Sequence, residues 1–234
     1  MNIGKIIPIE LNETTAYLAG VIVGDGHISN SQKSKTDKSR NYRVVIELTD
    51  RAYLEEITSM IKGIVQTKSE IKEVKLNKNV KKRSYFQLTN KSFYYFLTSD
   101  LGIPAGKKSF IVRIPEKILD APNLIWSFLS GLFDTDGGIR GRTVGFTSAS
   151  KQLIKDISLI LKNEGFEFTQ DTWRNKLYNS QYYGIKIWLR SNDRFLNKLT
   201  LRNLNKRKRV FRHADVPEWS NGTGLQRYTK NTLA

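Results

Sequence analysis

Two aspartates, Asp25 and Asp136, each end a run of apolar and small residues, and a glycine follows each of them. Within these runs, residues 17–26 and 128–137, small side chains recur four positions apart. Residues i and i+4 share one face of a helix, so each run predicts a helix with a smooth stripe that can approach another helix closely. Glycine is the usual residue just beyond a helix end. Close packing of the two helices would therefore bring both aspartates together at one end.

Paired carboxylates at two helix C-termini predict a bound cation. The helix dipole is already negative at that end, so two further negative charges are unfavourable without a positive charge between them. Hard divalent cations bind carboxylate and backbone carbonyl oxygens, and both are available there. The spacing therefore favours a divalent-metal centre built by Asp25 and Asp136.

Both runs resemble the LAGLIDADG motif. Residues 18–26, LAGVIVGDG, and 129–137, LSGLFDTDG, align without gaps. The first copy has Val23 where the motif has its first aspartate, whereas the second copy keeps Asp134. Over about residues 14–217 the chain resembles a single-chain, two-motif LAGLIDADG homing endonuclease.

This resemblance implies the identity of the site residues. The catalytic and metal-binding acids would be Asp25 and Asp136, with Gly24 and Thr135 adding backbone carbonyl ligands. The metal would be Mg²⁺, as two or three divalent ions; Mn²⁺ could substitute, and Ca²⁺ is expected to bind without cleavage. Each strand of a DNA duplex would be hydrolysed once across the minor groove, giving a staggered break. A basic residue is expected near each metal, although each candidate is equally well explained as a phosphate clamp; the candidates are Lys107, Lys108, Arg113, Lys208 and Arg209.

The repeat predicts an α+β fold of two pseudo-symmetric αββαββα halves. The two aspartates lie 111 residues apart (136 − 25), about half of the 234-residue chain. We expect the halves to pack through the two LAGLIDADG helices and to present an antiparallel β-saddle to DNA. The predicted boundaries are residues 1–115 for the N-terminal half, 116–122 for a linker, 123–217 for the C-terminal half and 218–234 for a polar tail. A strand is expected over 182–191, and basic connectors over 102–120 and after 205.

The charge of the chain predicts a polyanionic partner. It has 39 Lys and Arg against 22 Asp and Glu, a formal net charge of +17, and a pI near 9.9. Such a balance is typical of nucleic-acid binding, and a β-ribbon fits the DNA major groove. The residues expected to face DNA are Lys33, Lys35, Arg40, Arg43, Glu47, Lys72, Lys75, Gln87, Arg140, Arg142, Arg174, Lys186 and Arg190.

Composition also excludes several classes of protein. The chain has no cysteine, so disulfides are excluded, and with two histidines a structural zinc site is not expected. No apolar run approaches the ~20 residues of a membrane-spanning helix. The N-terminus lacks the apolar region of a signal peptide. We therefore expect an intracellular protein, in a prokaryotic cytoplasm or an organelle.

The predicted function is a monomeric, site-specific DNA endonuclease of intron homing. Its target should be long and asymmetric, because the two halves differ in sequence. An RNA-binding intron maturase on the same fold, with intron RNA as its partner, is the main alternative. A non-catalytic DNA-binding regulator is less favoured, because both motif acids are present. An intein is disfavoured, because the chain begins Met1-Asn2 and ends at Ala234 without a splicing nucleophile or a His-Asn pair.

Overall fold

Two helices, α1 (Glu13–Gly24) and α5 (Pro122–Asp136), pack against each other at the centre of the protein. The structure is a computed structural model, and it describes residues 6–32, 40–74, 82–140, 143–176 and 179–214. Asn12 begins α1 with a capping box, in which its side chain accepts from the Thr15 N–H and the Thr15 hydroxyl accepts from the Asn12 N–H. Helix α5 begins with Pro122, which has no backbone N–H. A missing donor is tolerated at the first helical position.

The close approach of α1 and α5 depends on Gly20 and Gly131. A Cβ atom on Gly20 would lie 2.1 Å from the Phe128 carbonyl oxygen, and one on Gly131 would lie 2.0 Å from the Tyr17 carbonyl oxygen. The two backbones are thus in direct contact, and neither site has room for a methyl group. The predicted stripe of small residues is present, and it sets the separation of the two helices.

The Gly20→Ala variant is expected to lower the free energy of unfolding by about 1–3 kcal/mol, because the added methyl would force the helices apart. Chemical denaturation monitored by circular dichroism would measure the change. Gly63→Ala is the matched control, since nothing lies within 4 Å of a Cβ at this position in the helix Arg51–Ile64. Removing a helical glycine there should instead raise stability, by about 0.5–1 kcal/mol. Equal stability of the Gly20→Ala variant and the unmodified protein would contradict the close approach.

The other elements form two copies of one pattern around this pair. The first half continues with β1 (Gly26–Gln32), β2 (Arg40–Leu48), α2 (Arg51–Ile64), β3 (Ile71–Glu73), β4 (Ser84–Thr89), α3 (Lys91–Tyr95) with a π-helical turn (Phe96–Asp100), and α4 (Glu116–Leu119). The second half continues with β5 (Gly137–Arg140), β6 (Thr143–Ser148), α6 (Lys151–Asn163), β7 (Phe168–Asn175), β8 (Ser180–Ile187), α7 (Leu189–Lys198) and α8 (Leu204–Ala214). The antiparallel sheets have the orders β1-β2-β4-β3 and β5-β6-β8-β7. The predicted pair of αββαββα halves is confirmed.

Each sheet buries one face and leaves the other open. In β2 the side chains of Val44, Ile46 and Leu48 are buried, while the alternating Arg43 and Glu47 are not. In the second half the buried face carries Phe146, whose ring packs edge-on against Phe195. No helix within the described ranges is long and apolar enough to cross a membrane.

Three of the predicted local boundaries are wrong. The strand expected over 182–191 ends at Ile187, and Leu189 begins α7, so Arg190 lies in a helix. The basic segment after residue 205 is not a connector but helix α8, because Asn203 caps it by accepting from the Lys206 N–H. Helix α4 interrupts the connector expected over 102–120. The division into two halves with a linker at 116–122 stays a prediction.

Candidate active site

The two motif aspartates lie together at the C-terminal ends of α1 and α5. Asp25 follows the last residue of α1, and Asp136 is the last residue of α5. The Asp136 carboxyl carbon is 3.5 Å from the position that a Cβ on Gly24 would occupy. The helix contact through Gly20 and Gly131 thus brings the two acids into one site, as the spacing of the motifs predicts.

The surroundings of the two aspartates disfavour the ionised form of both carboxyl groups. Burial raises the pKa of Asp136 to about 7, and the negative charge of Asp25 adds to this shift. The pKa of Asp25 is also raised by burial, although this residue keeps an exposed edge. The positive charges of Lys206 and Lys108 oppose both shifts. Such displaced acid pKa values are typical of functional sites.

One lysine from each half caps the two helix ends. The Lys108 ammonium donates to the carbonyl oxygens of Val23, at 2.5 Å, and Gly24, at 3.2 Å. The Lys206 ammonium donates to the carbonyls of Phe133, Thr135 and Gly137, at 2.8, 2.8 and 2.7 Å. Cations at helix C-termini are stabilised by the dipole and by the unpaired carbonyl groups. Burial nevertheless lowers the pKa of both lysines, that of Lys206 to about 8.

Of the five predicted basic residues, the structure brings Lys108 and Arg209 to the site. Arg209 lines a cleft of about 470 Å³ together with Asp25 and Lys206. Lys107 and Lys208 are exposed and do not line this cleft. Arg113 instead pairs with Glu116 and Asp156.

Sequence reasoning missed Lys206, which makes more contacts in the site than any of those five. The two basic segments can be aligned on their prolines, Pro115 and Pro217, 102 residues apart. Alignment on the buried Val112 and Val210 instead gives a spacing of 98 residues (210 − 112), and the same spacing places Lys206 opposite Lys108 (206 − 108). A register taken from the core positions could therefore have identified this lysine.

A buried hydrogen-bond network behind the site was also missed. Asp134, which is 2% exposed, accepts from the Tyr17 hydroxyl at 2.5 Å, and that hydroxyl is 2.9 Å from the Tyr53 hydroxyl. The same Asp134 oxygen accepts from the backbone N–H groups of Arg202, at 2.7 Å, and Asn203, at 3.3 Å. Burial raises the pKa of Tyr17, so its hydroxyl keeps the proton that it donates. The first aspartate of the second motif therefore anchors the start of α8.

The donor atoms at the helix ends fit a hard divalent cation. The available oxygens are the carboxylates of Asp25 and Asp136 and the carbonyls of Gly24 and Thr135. No cluster of three or more His, Cys, Asp or Glu side chains occurs within the described ranges. Mg²⁺ is commonly held by one or two carboxylates, with substrate phosphates and waters completing the shell, so this small set suffices when DNA is bound. Lys108 and Lys206 now bind those two carbonyls, so a metal would compete with an ammonium group for them.

The open faces of the sheets carry several of the residues expected to bind DNA. Arg43 lies opposite Thr89, and Lys72 opposite Tyr85, on the same face as Glu47 and Gln87. Glu47 pairs with Arg83 at 3.1 Å. In the second sheet Lys186 lies on the open face and pairs with Asp171 at 3.0 Å. Arg40 is exposed at the start of β2.

That Arg174 and Arg190 contact DNA stays a prediction, and both residues lie off the open face of the second sheet. Arg174 is exposed near the end of β7 and by alternation points to the same side as Gln170, whose amide donates to Ser158 of α6. Arg190 lies in α7 and pairs with Glu167. Lys33, Lys35, Lys75 and Arg142 lie outside the described residues; Arg140 pairs with Thr143 through its backbone, and its side chain also lies outside them.

An aromatic pair on the second open face was not predicted. Trp173 and Tyr182 lie opposite each other in β7 and β8, and their rings stack with centroids 6.0 Å apart. By strand alternation they share the face of Lys186. The open surfaces of the two halves therefore differ in chemistry, one rich in polar side chains and the other carrying a stacked aromatic pair.

Comparison of the sequence with known proteins identifies a domain in the second half. Residues 123–207 match a family model described as a LAGLIDADG-like domain. The replication factor C small subunit of Thermococcus kodakarensis is 29% identical over 203 residues, which cover 85% of this chain and 21% of that protein. An uncharacterised protein of Methanocaldococcus jannaschii is 26% identical over 186 residues, covering 76% of this chain and 64% of that protein. The chain thus spans about a fifth of the length of the first relative.

Comparison with solved structures identifies the fold of about four fifths of the chain. The homing endonuclease I-DmoI in complex with DNA and Ca aligns with a TM-score of 0.62 and 22% identity, over 80% of this chain and 88% of that one. The homing endonuclease I-WcaI bound to its DNA recognition sequence aligns with a TM-score of 0.54 and 16% identity, over 82% of each chain. At these identities the likeness shows the fold. Together with the domain match, it confirms the LAGLIDADG resemblance of the two motifs.

Proposed function

We propose that this chain, with its LAGLIDADG-like domain and single-chain LAGLIDADG fold, is a site-specific, Mg²⁺-dependent DNA endonuclease that cuts both strands of a long duplex site. The observation that supports this most strongly is the pairing of Asp25 and Asp136 at the ends of two touching helices. Each half adds a lysine to the same place, the buried Lys108 and the half-buried Lys206. A merely structural helix pair would gain nothing from collecting two acids with raised pKa values there.

The acids and their neighbouring carbonyls would hold the metal. Asp25 with Gly24, and Asp136 with Thr135, supply one carboxylate and one carbonyl from each half. When bound, the metal lowers the pKa of the attacking water and stabilises the leaving oxygen of a phosphodiester. Two such donor sets suit two cuts, one on each strand, across the minor groove.

The two lysines supply positive charge where the reacting phosphate gains negative charge. Lys108 also donates to the Val23 carbonyl, and Lys206 to those of Phe133 and Gly137, so both ammonium groups stay next to the acids when a metal takes the Gly24 and Thr135 carbonyls. Groups that are already oriented in this way stabilise a transition state without further reorganisation. Arg209, at the rim of the cleft with Asp25, can bind a flanking phosphate.

The open sheet faces would bind the duplex and select the site. Related folds support this role: I-DmoI and I-WcaI were each solved with DNA, and I-DmoI structures exist with Ca, Mn or Mg. At the described positions that correspond to Arg43, Glu47 and Gln87 of the first sheet, the second sheet has Thr143, Thr147 and Lys186. We therefore expect an asymmetric target, bound by one copy of the chain.

Selection of cleaved sequences from a randomised or genomic DNA pool tests this function. We expect one long sequence to be cut on both strands with Mg²⁺, giving a staggered break, and to remain intact with EDTA. The pool without protein controls for nicking by other sources. Absence of cleavage together with tight binding to structured RNA would contradict the endonuclease and favour an intron maturase.

A further inference from the structure

Lys206 is tied to the first half of the chain. It belongs to residues 202–206, which we define as the second lysine segment. Arg202 of this segment pairs with Glu56 at 2.9 Å, and Asn205 donates to Asp50 at 2.8 Å. Asp50 caps helix α2 of the first half, and Glu56 lies within it.

The buried network makes the same connection. Asp134 holds the N–H groups of Arg202 and Asn203, and its remaining side-chain donor is Tyr17 of α1, backed by Tyr53 of α2. The Arg202 guanidinium also lies over the Tyr17 ring, 5.4 Å from its centroid. Two tyrosines of the first half therefore support the acid that fixes the segment carrying Lys206.

Lys108 is tied in the corresponding way to the second half. It belongs to residues 108–114, the first lysine segment. The Ser150 hydroxyl donates to the Val112 carbonyl at 2.5 Å, and Asp156 accepts from the Ile114 N–H at 3.1 Å. Ser150 caps helix α6 of the second half and Asp156 lies in that helix; both side chains are buried.

The helix residues that make these contacts are equivalent under the internal repeat, whereas the two segments are contacted on opposite sides of their lysines. Asp50 and Ser150 are the N-caps of α2 and α6, and each contacts the lysine segment of the opposite half. Buried hydrogen-bonding groups are costly to leave unpaired, so contacts such as Asp156 with Ile114 restrict where the segment can lie. A single contact of this kind would carry little weight, but contacts from equivalent helix residues on both sides indicate that the two halves use the same arrangement.

We propose that each half of the protein positions the active-site lysine of the other half, with Tyr17 and Tyr53 as positioning residues for Lys206, and Ser150 and Asp156 for Lys108. This inference rests on the proposed function, because a lysine matters to cleavage only if the chain cleaves DNA. Its consequence is a crossed dependence. A change in the first half should impair the centre that uses Lys206, and a change in the second half should impair the centre that uses Lys108.

Reductive methylation of the metal-free protein tests the positioning without any need for cleavage. In the unmodified protein both lysines should react slowly, since their ammonium groups donate to two or three carbonyls. In Tyr17→Phe/Tyr53→Phe, Lys206 should react several times faster while Lys108 is unchanged, and in Asp156→Ala the pattern should reverse. Mass spectrometry of peptides gives both rates from one sample. Equal acceleration of both lysines, or of neither, would overturn the proposal.

Strand-resolved cleavage tests the consequence for catalysis. Lys206→Met and Lys108→Met first identify the strand that depends on each lysine. Tyr17→Phe/Tyr53→Phe should then slow the Lys206-dependent strand about ten- to a hundredfold, since misplacing a reacting group by about 1 Å can cost a hundredfold. The cleavage rate of the other strand should stay within about twofold of that of the unmodified protein, because distant, independent sites couple only weakly. Slowing of the wrong strand, or of both equally, would refute the crossed arrangement.

Matched controls separate positioning from general loss of stability. Ser158→Ala changes a buried serine of α6 that bonds within its own half, and Tyr94→Phe changes a buried tyrosine of α3 in contact with Tyr42 and Tyr95. Neither should alter either lysine or either strand. Should the double tyrosine variant not fold, Tyr53→Phe alone removes only the outer hydroxyl and should produce the same pattern more weakly. If the unmodified protein cuts neither strand, the proposed function fails, while the methylation result still decides the positioning.

Discussion

Asp136→Asn and Asp25→Asn are each expected to lose double-strand cleavage while target binding stays within a few fold. Asparagine keeps the shape of the side chain but removes the charge that would hold a divalent metal. Changing a residue that merely supports a metal ligand typically costs about ten- to a hundredfold. A change of the ligand itself should cost more, about a thousandfold. Cleavage of a target plasmid and fluorescence anisotropy on the same duplex would measure the two effects.

The control for this experiment is another aspartate of the same chain. Asp120 follows α4 and is exposed just before the start of α5, so Asp120→Asn makes the same chemical change at the opposite end of α5 from Asp136. It should cut at the rate of the unmodified protein. Full cleavage by either Asp25→Asn or Asp136→Asn would show that the paired acids do not bind the catalytic metal.

Metal binding should depend steeply on pH below about 7. In the metal-free protein the pKa of Asp136 is about 7, compared with its usual 3.8, so a metal must displace a proton at lower pH. One displaced proton weakens binding about tenfold for each pH unit below the pKa. Between pH 7 and pH 5 the affinity for Mn²⁺ should therefore fall towards a hundredfold, as followed by the EPR signal of the free ion.

The raised pKa of Asp136 also determines how this residue contributes to the pH dependence of stability. Because the folded-state pKa of Asp136 lies above its unfolded value, the folded protein binds the extra proton between about pH 4 and 7. The contribution of Asp136 to the free energy of unfolding is therefore largest at low pH, and it decreases as pH rises through 7. Asp136→Asn should remove this slope from the pH dependence of the free energy of unfolding, as measured by chemical denaturation of the metal-free protein. An unchanged pH profile in the variant would place the titrating group elsewhere.

The sequence was sufficient for the parts of the site that depend on local pattern. Asp25 and Asp136 could be placed because the glycines that allow close packing and the glycines that end each helix lie within a few residues of them. The doubling of this pattern gave the two halves and their pseudo-symmetry. Lys108 was predictable as one of several bases, since a segment rich in lysine limits the choices but does not identify the buried one.

The remaining parts depend on contacts between distant residues. Tyr17 and Asp134 are 117 positions apart, and only the packing of α1 on α5 shows that the tyrosine can donate to the acid. Lys206 depends on α8, whose start is fixed by Asn203 and Asp134 rather than by its own polar sequence. Trp173 and Tyr182 face the open surface because of the strand register, which a one-residue shift would reverse.

The buried network around Asp134 also determines which halves can pair with each other. Under the repeat, Phe128 takes the place of Tyr17 (128 − 17 = 136 − 25), and Leu153 takes the place of Tyr53. Two copies of the C-terminal half would therefore bury two Asp134 carboxylates without a hydroxyl donor, at about 1–3 kcal/mol or more each. Two copies of the N-terminal half would bury two Tyr17 hydroxyls against Val23. If the halves were produced as separate polypeptides, each should select the other as its partner and reject itself, so the asymmetry of the chain is encoded in its interior as well as in its DNA-facing surface.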